Sequence, residues 1–103
     1  MSITTNDFRD AALDVCRIRV PQAVVYRSFV QETVVLNLDT GRYHGVNPVG
    51  GRMLETLDRL GSLHKTAQVL AGEYDRPVAE IEADLREFCE SLIERGLLVA
   101  EPS

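Results

Sequence analysis

Few side chains of this 103-residue sequence are of the types that carry covalent or metal chemistry, and their spacing does not bring them together. The two histidines, His44 and His64, stand outside HxxxH or HExxH spacing, which aims two ring nitrogens from one helix face at a metal. Both read as surface or packing histidines. Cys16 and Cys89 form no CxxC and no Cys/His pattern, so they read as free, buried thiols of a reducing compartment. Ser28, Ser62 and Ser91 lack the G-x-S-x-G setting of an activated nucleophile. Gly50-Gly51 is not followed by the Lys-Ser/Thr of a phosphate loop. Paired carboxylates at Glu80–Asp84 and Glu87–Glu90 fall on the outer side of a helical pattern, where they serve solubility rather than general acid/base work. The expectation is a protein that is not an enzyme, with no catalytic residue, no metal and no cofactor.

Composition narrows the class further. Hydrophobic residues make 45% of the chain, which is enough for a globular core. No apolar run approaches the ~18 residues of a membrane span. The opening MSITTNDFRDAALD has no apolar segment of the secretory kind, so a cytoplasmic protein with no membrane partner is expected. The net charge of −5 is unevenly spread. Residues 1–53 hold six arginines against five acids, whereas residues 54–103 hold five basic residues against eleven acids. A nucleic-acid partner requires clustered Lys and Arg, which the acidic half does not provide. A basic peptide is compatible with it.

The elements that would position these residues follow from the pattern. Residues 1–14 are polar and read as a flexible tail, with room for a helical turn over 8–13, ahead of a single domain over 15–103. Residues 15–20, VCRIRV, allow a short strand that Pro21 would end or leave at an edge. A meander of three antiparallel strands is expected over about 23–29, 33–38 and 42–46. Within it, Thr33 to Leu38 alternates with a period of two, and Asp39-Thr40-Gly41 supplies the turn. Asn47-Pro48 then stops the last strand and starts a helix, because Asn caps well and Pro suits the first helical position. That helix runs to Gly61. A second begins after Ser62 and breaks at Tyr74-Asp75-Arg76. The third runs from Pro77 to Gly96, with Val78, Ile81, Leu85, Phe88 and Leu92 along one side. Leu97-Leu98-Val99 reads as an apolar tail packing back on the helices. Gly50-Gly51 in the first helix admits two readings, tolerance near a helix end or close approach of a neighbouring backbone. The fold class is therefore α+β: a three-stranded antiparallel sheet followed by a three-helix bundle. The last two helices resemble a helix-turn-helix and the hairpin a wing.

The last strand has one sheet neighbour, so its other edge carries unpaired N–H and C=O groups that could accept an extended peptide. The residues around it resemble a known family. The run VVLNLDTGRYHGVNPVG, the E-Y-D break and the ending EADLREFCESLIERGLL together are similar to the PqqD-like family. These are the peptide-recognition elements of pathways for ribosomally made, post-translationally modified peptides. The resemblance covers about residues 20 to 100. It is closer to stand-alone forms, including those of lasso-peptide pathways, than to the cofactor-biosynthesis member, which has a Pro-Glu-Gly turn where this chain has LNLDTGRYHGVN. That departure bears on which peptide is bound, not on how.

The resemblance implies capture of the leader segment of a precursor peptide as an added strand, in a cleft shared with the third helix. It further implies presentation to a modifying enzyme or leader peptidase. The implied strand wall is Arg42, Tyr43, His44, Gly45 and Val46. The implied helix wall is Ile81, Asp84, Leu85, Phe88 and Leu92, with Asp84 pairing a basic or polar leader side chain. Tyr43 and Val46 fall on opposite faces of a regular strand, so both facing the cleft requires a bulge near Gly45. A monomer or weak dimer is expected. Two other classes compete: a winged-helix DNA-binding regulator and a dimerisation module that pairs its edge strands. Six acids against Arg86 and Arg95 over residues 77–96 disfavour the former.

Overall fold

The hairpin at the centre of the sequence forms as its alternation dictates. A computed structural model describes residues 13–102. Five strands and three long helices follow in order: β1 (Cys16–Arg19), β2 (Val24–Ser28), β3 (Thr33–Asn37), β4 (Tyr43–Val46), α1 (Pro48–Leu60), α2 (Leu63–Tyr74), α3 (Val78–Glu94) and β5 (Val99–Pro102). β2, β3 and β4 make the expected antiparallel meander with β3 central.

A second, two-stranded sheet is added to it. β1 pairs antiparallel with β5, Cys16 opposite Pro102 and Arg19 opposite Val99. The expected apolar tail is therefore two things. Leu97 and Leu98 enter the core, and Val99 onward forms a strand. Each strand is short and gains its partner from the opposite end of the chain, a pairing that local pattern does not encode. The Ile18 N–H also donates to the Gly61 carbonyl at 3.0 Å, tying β1 to the end of α1.

The expected tail over 1–14 falls mostly outside the described residues, as does most of the helical turn proposed for 8–13. Its last two residues depart from that expectation. Leu13 is buried among the core side chains, and Asp14 pairs with Arg86 of α3. One apolar cluster runs from Leu13 and Ile18 through Val35, Leu54, Leu57, Leu70, Leu85 and Leu92 to Leu98. Of the two thiols, Cys89 is buried and Cys16 half-buried, and both are free. Burial pushes the Cys89 thiol up to about 12.

Helix ends follow their local signals. The Asn47 side chain accepts from the Gly50 N–H at 2.7 Å, with Pro48 at the first helical position. Gly61 closes α1 in the left-handed region, and Ser62 caps α2 through the Lys65 N–H. Asp75 ends α2 at φ 53°, an unusual conformation for a residue other than glycine. The glycine pair is explained by close approach, though to side chains rather than backbone. A Cβ on Gly51 would overlap Thr33 Oγ1, and one on Gly50 would stand 3.2 Å from the Phe88 ring and 3.3 Å from Val46 Cβ. The pair thus lets α1 lie directly on β3 and beside α3. Tyr26 donates to Asp58 at 2.7 Å and Ser28 to Glu55 at 3.1 Å, which fixes the sheet on α1. Arg52 bridges Glu55 at 2.9 Å and Glu73 of α2 at 2.7 Å.

Candidate functional site

The site is an open strand edge set beside a helix. In an antiparallel ladder, residues alternate between bonding their neighbour and pointing away. The Asn37 N–H donates to the Arg42 carbonyl at 2.9 Å, which sets the phase. With Val35 opposite His44 and Thr33 opposite Val46, residues 42, 44 and 46 turn their backbone groups to β3. Tyr43 and Gly45 turn theirs outward. Among the described residues no further strand covers that edge, so these two residues offer donors and acceptors at the spacing an added strand would use.

Side chains of β4 divide the other way. The register from Leu36–Tyr43 to Thr33–Val46 is unbroken, so there is no bulge at Gly45. Tyr43 therefore lies on the outer face, 73% exposed, beside Leu36 and Val25. Arg42, His44 and Val46 share the inner face, and Val46 packs against the core. Tyr43 thus turns its backbone, not its ring, toward the open edge. The expectation that both Tyr43 and Val46 line the cleft fails because the ladder stays regular. Gly45 is exposed, and the Glu32 carboxylate occupies the space a Cβ there would enter, at 2.8 Å.

The facing wall is α3, on a strip displaced from the one expected. Ile81, Leu85 and Leu92 are 2%, 0% and 2% exposed and belong to the core. Their helical spacing places them together, but on the side of α3 that faces the bundle. The adjacent strip carries Asp84, Glu87, Phe88 and Ser91. These line a groove of about 370 Å³ with Asn47, Val49, Gly50 and Met53 of the α1 entry. A second hollow, toward the C-terminal end of α3, is lined by Asn37, Thr40, Arg42, His44, Glu94 and Arg95. Of the expected helix wall, Asp84 and Phe88 line the groove. Asp84 is exposed and lies 3.4 Å from Arg76, while Phe88 is half-buried against Gly50. Glu87, Ser91, Glu94 and Arg95 are groove residues that the sequence reading misses. Their positions three, seven, ten and eleven residues after Asp84 mark the same face, a signal visible once Asp84 is taken as the marker.

The groove has hydrogen-bonding edges, an apolar floor and charged rims. Among the described residues no cluster of His, Cys, Asp and Glu is placed to hold a metal. Among them, too, no helix is long and apolar enough to cross a membrane. A second exposed surface lies on the outer sheet face, where Val25, Phe29, Val34 and Leu36 line a shallow apolar hollow around Arg27.

Two solved structures are similar to this chain in fold. One is TbiB1 in complex with the TbiA(beta) leader peptide. It is 31% identical, with a TM-score of 0.72, and the match covers 78% of this chain and 93% of that one. The other is a lasso peptide synthetase B1 complexed with the leader peptide. It is 23% identical at a TM-score of 0.72, covering 81% of this chain and 98% of that one, and supports the fold. No curated protein matches this chain in sequence. The family model of coenzyme PQQ synthesis protein D, PqqD, matches residues 32–98, from the start of the central hairpin to the buried Leu98. The hairpin, the Asn47-Pro48 helix start and the long α3 all fall within that match, and the chain belongs to the PqqD family.

Proposed function

We propose that this protein captures the leader segment of a ribosomal precursor peptide as a fourth strand on the open edge of β4. It then presents the peptide to a modifying enzyme or leader peptidase and does no chemistry itself. The observation that carries this reading is the outward-facing backbone of Tyr43 and Gly45 beside the groove against α3. Main-chain bonds along the edge supply affinity, and the side chains of Arg42, His44, Asp84 and Phe88 supply selectivity. The leader-peptide complexes of the similar proteins support the assignment of the ligand class. The free thiols accord with a reducing, cytoplasmic setting, and a monomer or weak dimer leaves the edge available.

The competing DNA-binding reading requires a basic recognition helix, and α3 presents Asp84, Glu87 and Glu94 on its groove face. Titration calorimetry with the leader encoded beside this gene tests the proposal. Binding at ~1 μM corresponds to about −8 kcal/mol, within reach of an added strand and two or three seated side chains. No heat and no chemical-shift change at about 100 μM peptide, some hundredfold above that affinity, would refute it.

A further inference from the structure

The two hollows between β4 and α3 carry opposite charge. Near Asn47, where β4 gives way to α1, Asp84 and Glu87 stand beside Val49, Met53 and Phe88. At the far end Arg42, His44 and Arg95 gather, with Glu94 among them. Asp84 is 3.4 Å from Arg76, but that guanidinium also lies 3.6 Å from Glu80, so two carboxylates share one cation. The side chains of Glu87, Arg42 and Arg95 have no ion-pair partner among the described residues. The acidic hollow is therefore left net negative and the other net positive, and the helical spacing of residues 84, 87, 91, 94 and 95 sets both along one strip of α3.

Helix geometry sets the distance between the two ends. Arg95 follows Glu87 by eight residues and Asp84 by eleven. At ~1.5 Å per residue that is roughly 12 to 16 Å along α3. A strand advances ~3.4 Å per residue, so roughly four to five strand residues span it. Of these spacings only four, the even one, points both side chains to the same face of the added strand.

Direction follows from the sheet. All its pairings are antiparallel, and antiparallel ladders are the more stable. β4 runs from the Arg42 end toward Asn47. A strand added antiparallel enters beside Asp84 and Glu87 and leaves beside Arg42 and Arg95.

We infer that the groove selects peptides of a fixed charge order: a Lys or Arg, then an apolar side chain two residues later, then an Asp or Glu two residues after that. The apolar residue seats against Phe88, which follows Asp84 by four residues and precedes Arg95 by seven on α3. This rests on the strand-addition reading above and specifies the class of peptide it takes. Rim charges of this kind set register and reject wrong partners more than they add affinity.

The test uses the full chain and a phage-displayed library of random dodecapeptides, with anisotropy titration of synthetic peptides made from the enriched sequences. Enrichment of a basic residue four positions ahead of an acidic one is expected. Exchanging those two residues in a selected peptide should weaken binding tenfold or more. Selection on D84K/E87K should lose the basic preference and keep the acidic one, and R42E/R95E should do the reverse. Enriched peptides without charge order, or with the acid ahead of the base, would overturn the inference while leaving strand addition standing. If no peptide is enriched over an unrelated protein, both fall. All four substitutions are at groove-lining positions outside the apolar core, and a circular-dichroism melt of each variant checks that it is folded.

Discussion

Asn37 donates its backbone N–H to the Arg42 carbonyl at 2.9 Å, and this one bond decides which residues of β4 face outward. It places the pair in the bonded phase of the ladder, so His44 and Val46 also bond β3, while Tyr43 and Gly45 do not.

A proline scan of β4 reads that phase directly. His44→Pro removes a donor from within the hairpin and leaves its β3 acceptor unpaired, which should cost about 1–3 kcal/mol of stability. Tyr43→Pro and Gly45→Pro remove donors that point away from the sheet, where proline is tolerated. Both should stay folded by circular dichroism and lose leader affinity at least tenfold. His44→Ala should be mild. Unaltered affinity in folded Tyr43→Pro and Gly45→Pro variants would move the docking site away from this edge.

Asp84 and Phe88 line the same groove but should fail differently. Asp84→Ala removes an exposed rim charge whose pair with Arg76 is worth about 0–1 kcal/mol, so the melt should barely move while binding weakens. Phe88 is half-buried, so Phe88→Ala should cost less than the ~3–5 kcal/mol of a fully buried aromatic. Equal loss of stability in the two variants would make Asp84 structural.

Gly51→Ala would push a methyl group into Thr33 Oγ1 at the contact between α1 and β3. Overpacking of this kind costs about 1–3 kcal/mol. Thr33→Ala should restore part of that loss when combined with it, because the obstructing hydroxyl is gone. Urea melts of the two single variants and the double variant measure the coupling. Additive losses would show that the two side chains do not compete for one space.

Cys89 should make the fold sensitive to alkali. Its folded thiol is pushed up to about 12 by burial, above the ordinary value of 9.0. A thiol raised in the folded state is protonated in both states below the unfolded value, so its contribution is fully present there. As pH rises from about 9 toward 12 the unfolded chain ionises first and stability is lost. Tyr26, raised by burial and by its hydrogen bond to Asp58, acts in the same direction at higher pH. Urea melts across that range should show a shallower decline in Cys89→Ala than in the parent. A thiol reagent added to the folded protein should modify Cys16 well before Cys89.

Residue order alone determined the local architecture. Alternation marked the three strands, Asn47-Pro48 and Gly61 bounded α1, and Ser62, Asp75 and Gly96 set the limits of α2 and α3. These signals are short-range, since a cap or a turn needs only its neighbours. The open edge of β4 and the acidic face of α3 were likewise readable.

What joins distant segments was decided only by the tertiary structure. β1 finds β5 across most of the chain, because neither short strand has a local partner. The groove face of α3 lies one strip away from the stripe of largest apolar residues, because that stripe is consumed by the core around Leu85 and Leu92. Periodicity shows that a helix has two faces, but packing against α1 and α2 decides which is covered. The ladder phase at Asn37 and Arg42 turned the Tyr43 backbone to the open edge and its ring to the outer face, because it depends on a hydrogen bond between strands and not on the residues of β4 themselves.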